Sequence, residues 1–415
     1  MTQPFVPAKR TIMTPGPVEA EPRVLRAMST PILGQFDPLF TSMMNDVMAD
    51  LRRVFQTSNH WAFPIDGTSR SGLEAVLCSI IHPGDKVLVP VFGRFGQLLT
   101  EIAERYGAEV FTMECEWGTV FEPAEVIDEI ERIQPHIVAA VHGETSTGCL
   151  QPLQEIGRCC REMGSLFVVD AVASLGGTDV KVDEWYVDAA IAGTQKCLSV
   201  PSGMAPITYN ERVEQVVNAR KKVEQGIATA EDELEKRKQP PIASNYFDLS
   251  QLQDYWSPRR LNHHTEATTM LYGLQEGLRI VLEEGLEERF RRHRFHEQAL
   301  KVGLQAMGLS LYADHDAKLP MVTCVTIPDN VDADAIRHLM LEQFGVEIAA
   351  SFGPLKGKIW RIGTMGYSCR RENVLFTLSA LEAALLSHHV PIYAGHAVQK
   401  ALEVYQRNTE GVQES

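Results

Sequence analysis

Short, nearly continuous apolar runs punctuate the first half of the chain. Lys86-Val87-Leu88-Val89-Pro90-Val91, Ile137-Val138-Ala139-Ala140-Val141, Leu166-Phe167-Val168-Val169 and Ala189-Ala190-Ile191-Ala192 are four of them. Runs of this length without polar alternation suit strands buried on both faces, as in a mostly parallel sheet covered by helices. Between them, the amphipathic stretches Phe95 to Tyr106 and Pro123 to Arg132 predict helices packed on that sheet. The alternation predicts an α/β fold: a large, doubly wound domain over residues 21–268, preceded by an N-terminal arm over residues 1–20 in which Pro15-Gly16-Pro17 makes a rigid turn. Within the large domain, residues 211–240 are charged and helix-forming and end at Pro240-Pro241, which predicts a solvent-exposed helical excursion. Residues 269–415 predict a smaller α+β domain with a helical tail. Its elements are a long helical stretch from Met270 to Met307, strands at Met321–Ile327 and Ile359–Gly363, and helices near Ala333–Phe344 and Arg371–Ser387.

Length and charge narrow the function classes. At 415 residues the chain is long enough for two domains sharing a cleft. A formal net charge of −15 repels phosphate backbones and argues against nucleic-acid binding. No apolar run approaches a bilayer-spanning length. Residues 1–10 lack the apolar core of a secretory signal, and the end, Val412-Gln413-Glu414-Ser415, is no peroxisomal address. A cytoplasmic protein is the expectation. The eight cysteines form no CxxC pair and sit mostly in apolar runs, which predicts buried free thiols. Cys159-Cys160 has no second ligand pair at metal-binding spacing.

Three features fall at strand ends of the large domain, where open α/β sheets place their ligands. Asp66-Gly67-Thr68-Ser69-Arg70-Ser71-Gly72 precedes the helical run Leu73 to Leu77 and offers backbone N–H groups, hydroxyls and a helix N-terminus to a phosphate. By itself it is equally an ordinary helix cap. Asp170 closes the strand Leu166–Val169, and Lys196 follows the strand Ala189–Ala192 in Gly193-Thr194-Gln195-Lys196. On successive strand ends, these two side chains can point into one crevice. A lysine amine, a carboxylate and a phosphate cradle are what pyridoxal phosphate needs: an amine for its carbonyl, an anion to keep its ring nitrogen protonated, and an anchor for its phosphate.

The stretches His142-Gly143-Glu144-Thr145-Ser146-Thr147-Gly148, Val169-Asp170-Ala171-Val172-Ala173-Ser174-Leu175-Gly176-Gly177 and Gly193-Thr194-Gln195-Lys196 resemble those of the class V, fold-type I aminotransferases, closest to the alanine/serine–glyoxylate group. The similarity runs from Thr14-Pro15-Gly16-Pro17 to Trp360-Arg361-Ile362-Gly363. The resemblance implies pyridoxal 5′-phosphate as cofactor and a homodimer with shared sites. It further implies that Lys196 carries the cofactor as a Schiff base and shuttles the α-proton, and that Asp170 pairs with the ring nitrogen. Thr145 would contact the phenolic oxygen, with Phe95 and Val172 on opposite ring faces. Thr68, Ser69, Arg70 and Gln195 would hold the phosphate end, joined by Thr265 of the other subunit. Arg361 would grip the substrate carboxylate, for which a bidentate guanidinium is suited.

Two departures from that group bear on substrate. Gln35 stands where a His is common, and Asn262, in Asn262-His263-His264-Thr265, stands where a Tyr is expected; Glu266-Ala267 follows where a Pro is usual. Primary amides both donate and accept, the complement of a ureido group. In this the chain is similar to the ureidoglycine–glyoxylate aminotransferase branch of the family, which implies (S)-ureidoglycine as amino donor and glyoxylate as acceptor in purine (allantoin) breakdown. Alanine– or serine–glyoxylate transamination is the alternative. The resemblance makes His263 and His264 loop-packing residues near a dimer interface, and no metal is expected. A cysteine desulfurase would need a mobile nucleophilic Cys, and residues 351–358 contain none. A cofactor-sensing DNA-binding regulator would need an added domain, for which the arm is too short.

Overall fold

The computed structural model describes residues 3–229, 232 and 239–411. The large sheet has seven strands: β1 (Trp61–Gly67), β2 (Lys86–Val91), β3 (Glu109–Glu114), β4 (Ile137–Val141), β5 (Leu166–Asp170), β6 (Ala189–Ile191) and β7 (Gly203–Tyr209). Their order is β1-β7-β6-β5-β4-β2-β3. Strand β7 is antiparallel to both neighbours, and every other pairing is parallel. Six strands therefore deliver their C-terminal ends to one edge. The four apolar runs became β2, β4, β5 and β6. Strands β1, β3 and β7 lie outside those four runs; Pro64 of β1 and Pro206 of β7 lie opposite each other in the register.

Helices α1 (Pro22–Met28), α2 (Pro38–Val54), α3 (Ser69–Ile80), α4 (Arg94–Arg105), α5 (Pro123–Ile133) and α6 (Gln154–Met163) surround this sheet. Helix α5 starts at Pro123 because Glu122 and Glu125 form a reciprocal capping box around it. Helix α3 presses so closely on the sheet that a Cβ on Gly72 would come within 2.9 Å of Ala205 and Ile191. The expected excursion opens as a helix. Helix α7 (Glu211–Ala219) ends where Arg220 turns inward to donate to the Ser79 and Ile81 carbonyls at 3.0 and 2.9 Å. Residues 220–229 are turn and coil, and positions 230, 231 and 233–238 of the expected helix lie outside the described residues.

After α8 (Leu249–Trp256), the stretch expected as one helix is two, α9 (Thr268–Glu284) and α10 (Leu286–Ala306). Gly285, at φ 83°, breaks it in a conformation that costs glycine little. The division expected at residue 268 falls at the start of α9, whose Leu271, Leu274, Leu278 and Val281 pack into the large core. The second core gathers Ala299, Leu300 and Leu304 of α10 with α11 (Ala333–Phe344), α12 (Arg371–Ser387) and α13 (His396–Gly411) around strands β8 (Val322–Thr326) and β9 (Ile359–Gly363). The N-terminal arm joins it. Thr11–Ile12 pairs in parallel with Val346–Glu347, and Met13 is buried there. Among the described residues, no helix is long and apolar enough to cross a membrane.

Candidate active site

A cavity of about 430 Å³ opens at the C-terminal edge of the large sheet, at the size small-molecule sites occupy. One end is the start of α3. This helix begins at Ser69, one turn earlier than the apolar run Leu73–Leu77 suggested, and its cap residue Thr68 makes no side-chain capping bond. The first-turn N–H groups and positive helix end therefore face the cavity beside Thr68, Ser69 and Arg70. From the loop after β6, Gln195 Nε2 donates to Ser69 Oγ at 2.7 Å. A Cβ on Gly193 would lie 2.5 Å from Ser69 Oγ and 3.0 Å from Val172, so the chain leaves a cradle there that any side chain would close.

The other end holds Asp170 and Lys196. Asp170 ends β5, and its Oδ1 accepts from Val172 N at 2.9 Å. Burial pushes its carboxyl up to about 7. Lys196 reaches across to the arm, where its Nζ donates to the Pro15 carbonyl. Burial first, and then the charge of Arg361, lower its amine to about 8. A lysine so tuned is a competent nucleophile and general base near neutral pH.

The loop after β4 builds a further wall. Buried Glu144 accepts from Phe95 N at 2.8 Å through Oε2, and from Ser146 N and Oγ at 2.9 and 2.6 Å through Oε1. It thereby fixes Phe95, at the start of α4, relative to Thr145, and both line the cavity with Val172. Behind Thr145 lies Arg361 on β9. Its guanidinium donates to the Thr145 carbonyl at 2.8 Å and to the Ala350 carbonyl through Nε at 2.8 Å, while the Phe352 ring lies 4.7 Å from it. Burial lowers its pKa to about 10.

Nine of the residues singled out from sequence thus line one cavity: Thr68, Ser69, Arg70, Phe95, Thr145, Asp170, Val172, Gln195 and Lys196. Arg361 sits just behind the lining. Gln35, Asn262 and Thr265 do not reach the cavity of their own chain. Gln35 and Asn262 nonetheless meet each other, Gln35 Nε2 donating to Asn262 Oδ1 at 3.0 Å, and Asn262 and Thr265 are exposed.

Sequence reasoning missed three contributors. Glu144 was visible only as a letter in a motif. His142, held neutral by burial that lowers it to about 3, hydrogen-bonds Ser174 at 2.9 Å behind Asp170. Gly16 is the third: at φ 98°, a Cβ on it would sit 2.4 Å from Lys196 Cδ. The Pro15-Gly16-Pro17 turn was legible, but nothing in the sequence pattern placed it against Lys196.

The donor set fits pyridoxal phosphate. An open helix N-terminus faces one end for the phosphate. A buried carboxylate with one hydrogen-bonded oxygen faces the other for a cationic ring nitrogen, and a lysine of depressed pKa stands beside it.

Residues 32–357 match the family model for aminotransferase class V. Over 397 residues, 96% of this chain and 95% of the relative, the sequence is 67% identical to the (S)-ureidoglycine–glyoxylate transaminase of Bacillus subtilis (strain 168). The crystal structure of a ureidoglycine–glyoxylate aminotransferase from Bacillus subtilis superimposes with a TM-score of 0.92 at 64% identity, covering 97% of this chain and all of that one. The alanine–glyoxylate aminotransferase of Drosophila melanogaster is 35% identical over 94% of this chain and 95% of its own length.

Proposed function

This chain belongs to the class-V aminotransferases, and from that premise we propose that it transfers the amino group of (S)-ureidoglycine to glyoxylate, yielding oxalurate and glycine in purine (allantoin) breakdown, with pyridoxal 5′-phosphate as cofactor. The observation that carries the substrate assignment is the likeness to the Bacillus subtilis ureidoglycine transaminase along nearly the whole of both chains. Alanine–glyoxylate aminotransferases stand much further off. The hydrogen-bonded amides of Gln35 and Asn262 support the same donor, since a ureido group offers them both donors and an acceptor.

When bound, pyridoxal phosphate supplies a carbonyl for the donor amine and a protonated ring that draws electrons from the donor α-carbon. Lys196 would hold the group through Nζ, and once the donor amine displaces it, the freed Nζ would take the proton from the donor α-carbon. A pKa near 8 suits that transfer. Asp170 keeps a positive ring nitrogen beside it. Thr68, Ser69, Arg70 and Gln195 hold the phosphate at the α3 N-terminus, and Thr145 donates to the phenolic oxygen. Phe95 and Val172 hold the ring between them. Arg361 binds the substrate carboxylate with the guanidinium hydrogens left free by its two carbonyl partners.

Thr265, Asn262 and Gln35 act in the site of a second copy, making an isologous dimer with shared sites. Exposed Ile32, Phe36 and Leu39 flank Gln35, and a dimer interface would cover that apolar patch. Eight free cysteines, seven of them buried, suit a reducing cytoplasm.

The test supplies each amino donor separately and follows glycine formed from glyoxylate. Ureidoglycine is generated in place, because a carbon bearing both amine and ureide expels ammonia. Each unmade hydrogen bond costs about 1–3 kcal/mol, so ureidoglycine should exceed alanine and serine by about tenfold or more in kcat/KM. Equal use of alanine or serine would overturn the substrate assignment while leaving the transaminase chemistry intact.

A further inference from the structure

Beside the phosphate cradle, but outside the cavity, lies a cluster that the transaminase reaction does not use. Asp66 ends β1, two residues before Thr68. His264 and Glu266 lie on the segment leading into α9, which also carries Asn262 and Thr265. His264 Nε2 stands 3.2 Å from Asp66 Oδ2 and 3.9 Å from Glu266 Oε2, and one donor atom from each of the three lies within 4.8 Å of the others. The Asp66, His264 and Glu266 side chains are 12%, 11% and 1% exposed.

The contacts within this cluster are unlike those of an ordinary polar network. Despite the short approach to Asp66, His264 Nε2 makes no hydrogen bond and neither does Asp66 Oδ1, while the carboxyl of Glu266 is enclosed against Asp66 and the Tyr255 hydroxyl. Buried polar atoms are almost always partnered, and two buried carboxyls side by side with no cation between them are costly to ionise. Three such donor atoms within 4.8 Å of one another, with two of the three pairs at 3.2 and 3.9 Å, can close around a common centre. Zinc-class ions hold nitrogen and carboxylate oxygen at about 2.0–2.2 Å, which places tetrahedral neighbours roughly 3.3–3.5 Å apart.

Second-sphere contacts agree. His263 Nε2 faces the Asn245 carbonyl at 3.4 Å and so carries the proton there; its Nδ1 then accepts from His264 Nδ1 at 2.8 Å, which leaves His264 Nε2 a lone pair towards the carboxylates. The His264 ring is fixed between Tyr255 and Tyr246, with centroids 4.8 and 5.6 Å away. With a neutral imidazole and both carboxyls ionised, as metal ligands must be, the cluster would carry two negative charges, which one divalent cation cancels. So little exposure disfavours magnesium, which keeps several waters.

We propose that Asp66, His264 and Glu266 bind one divalent cation of the zinc class, with a water or the Tyr255 hydroxyl completing four-coordination. The ion ties the strand end that carries the phosphate cradle to the segment that carries Asn262 and Thr265. The sequence hid this because the paired histidines suggested ligands next to each other, whereas the second and third donors are Asp66, on a distant strand, and Glu266.

The holoenzyme, purified without chelator, should contain about one equivalent of zinc-class metal per chain by elemental analysis. Removing it with chelator should lower Tm by a few degrees, and zinc alone should restore it. Cobalt(II) put in its place should show the visible absorption of a four-coordinate site. Glu266→Gln should abolish metal uptake, the cobalt spectrum and the zinc-dependent shift while the protein still folds and binds its cofactor. Asp66→Asn is the second variant, should Glu266→Gln fail to fold. Wild-type protein with far less than one metal per chain and a Tm indifferent to zinc would overturn the proposal in favour of a proton shared by the two carboxyls. So would undiminished cobalt binding in Glu266→Gln.

Discussion

Replacing Asp170 with asparagine tests the electrostatics at the base of the cavity. The carboxyl is fully enclosed and burial pushes it from 3.8 up to about 7. At 1.36 kcal/mol per unit, roughly 4 kcal/mol opposes keeping the charge there with only Val172 N–H as a direct partner. A cationic ring nitrogen against Asp170 offsets that cost, and the same cation makes the donor α-carbon acidic. Asp170→Asn keeps size and hydrogen bonding but removes the charge, so the ring nitrogen loses its reason to stay protonated. If most of those roughly 4 kcal/mol appear in the barrier to α-proton removal, the step slows about a thousandfold. Stopped-flow mixing of cofactor-loaded enzyme with one donor, followed by the cofactor's absorbance, reads that step alone. A rate within tenfold of wild type refutes the role. Removing the cofactor gives a second reading. In apoprotein the folded pKa of Asp170 lies above the unfolded value, so its contribution to stability is full below about pH 4 and lost as pH rises through about 7. Asp170→Asn apoprotein should lack that decline. His142 and His296, lowered to about 3 and about 4, lose stability in the opposite direction in both proteins, so only the difference between the two curves is read.

Lys196→Ala and Thr265→Ala proteins, each inactive, should recover about a quarter of wild-type activity when mixed and allowed to exchange subunits, since one site in each mixed dimer is then intact; none recovered, with exchange demonstrated by mass, argues against shared sites. Gly16→Ala should cost about 1–3 kcal/mol from positive φ alone and drive a methyl into Lys196 Cδ and Nζ, so both Tm and cofactor incorporation should fall. Unchanged incorporation would mean that the arm does not brace the lysine.

The sequence revealed elements wherever one physical signal dominated. Apolar runs without alternation became β2, β4, β5 and β6, because strands covered on both faces need little else. It failed where signals conflicted. Gly285 split a helix whose two halves are equally helix-forming, and Arg220 ended helix α7 by turning to buried carbonyls. In each case the deciding partner is distant in the chain, and periodicity carries no information about it.

The site was legible for a related reason, and its gaps follow the same rule. Lys196, Asp170 and the Thr68–Ser69 turn each close a parallel strand or open the helix after one, and parallel strands deliver such ends to one edge whatever their spacing. Strand order alone therefore gathered nine of the named residues. Glu144, Gly16 and the Asp66–His264–Glu266 cluster are set instead by side-chain and backbone contacts between separate segments: β4's loop with α4, the arm with Lys196, and β1 with the approach to α9. Gln35 and Asn262 lie between the two cases. Their chemistry could be read from residue type, and the structure joins them at 3.0 Å, yet it joins them away from the cavity they would serve. A pair recognising a substrate in its own chain would have to line that chain's pocket. A pair recognising it across an interface must be exposed here, beside apolar residues that are also exposed, which is how Asn262, Ile32 and Phe36 are found. If the proposed dimer shares its sites, substrate choice is a property of two chains, and mutations that loosen the dimer should broaden donor use, read as the ratio of alanine to ureidoglycine kcat/KM, before they impair the Lys196 chemistry.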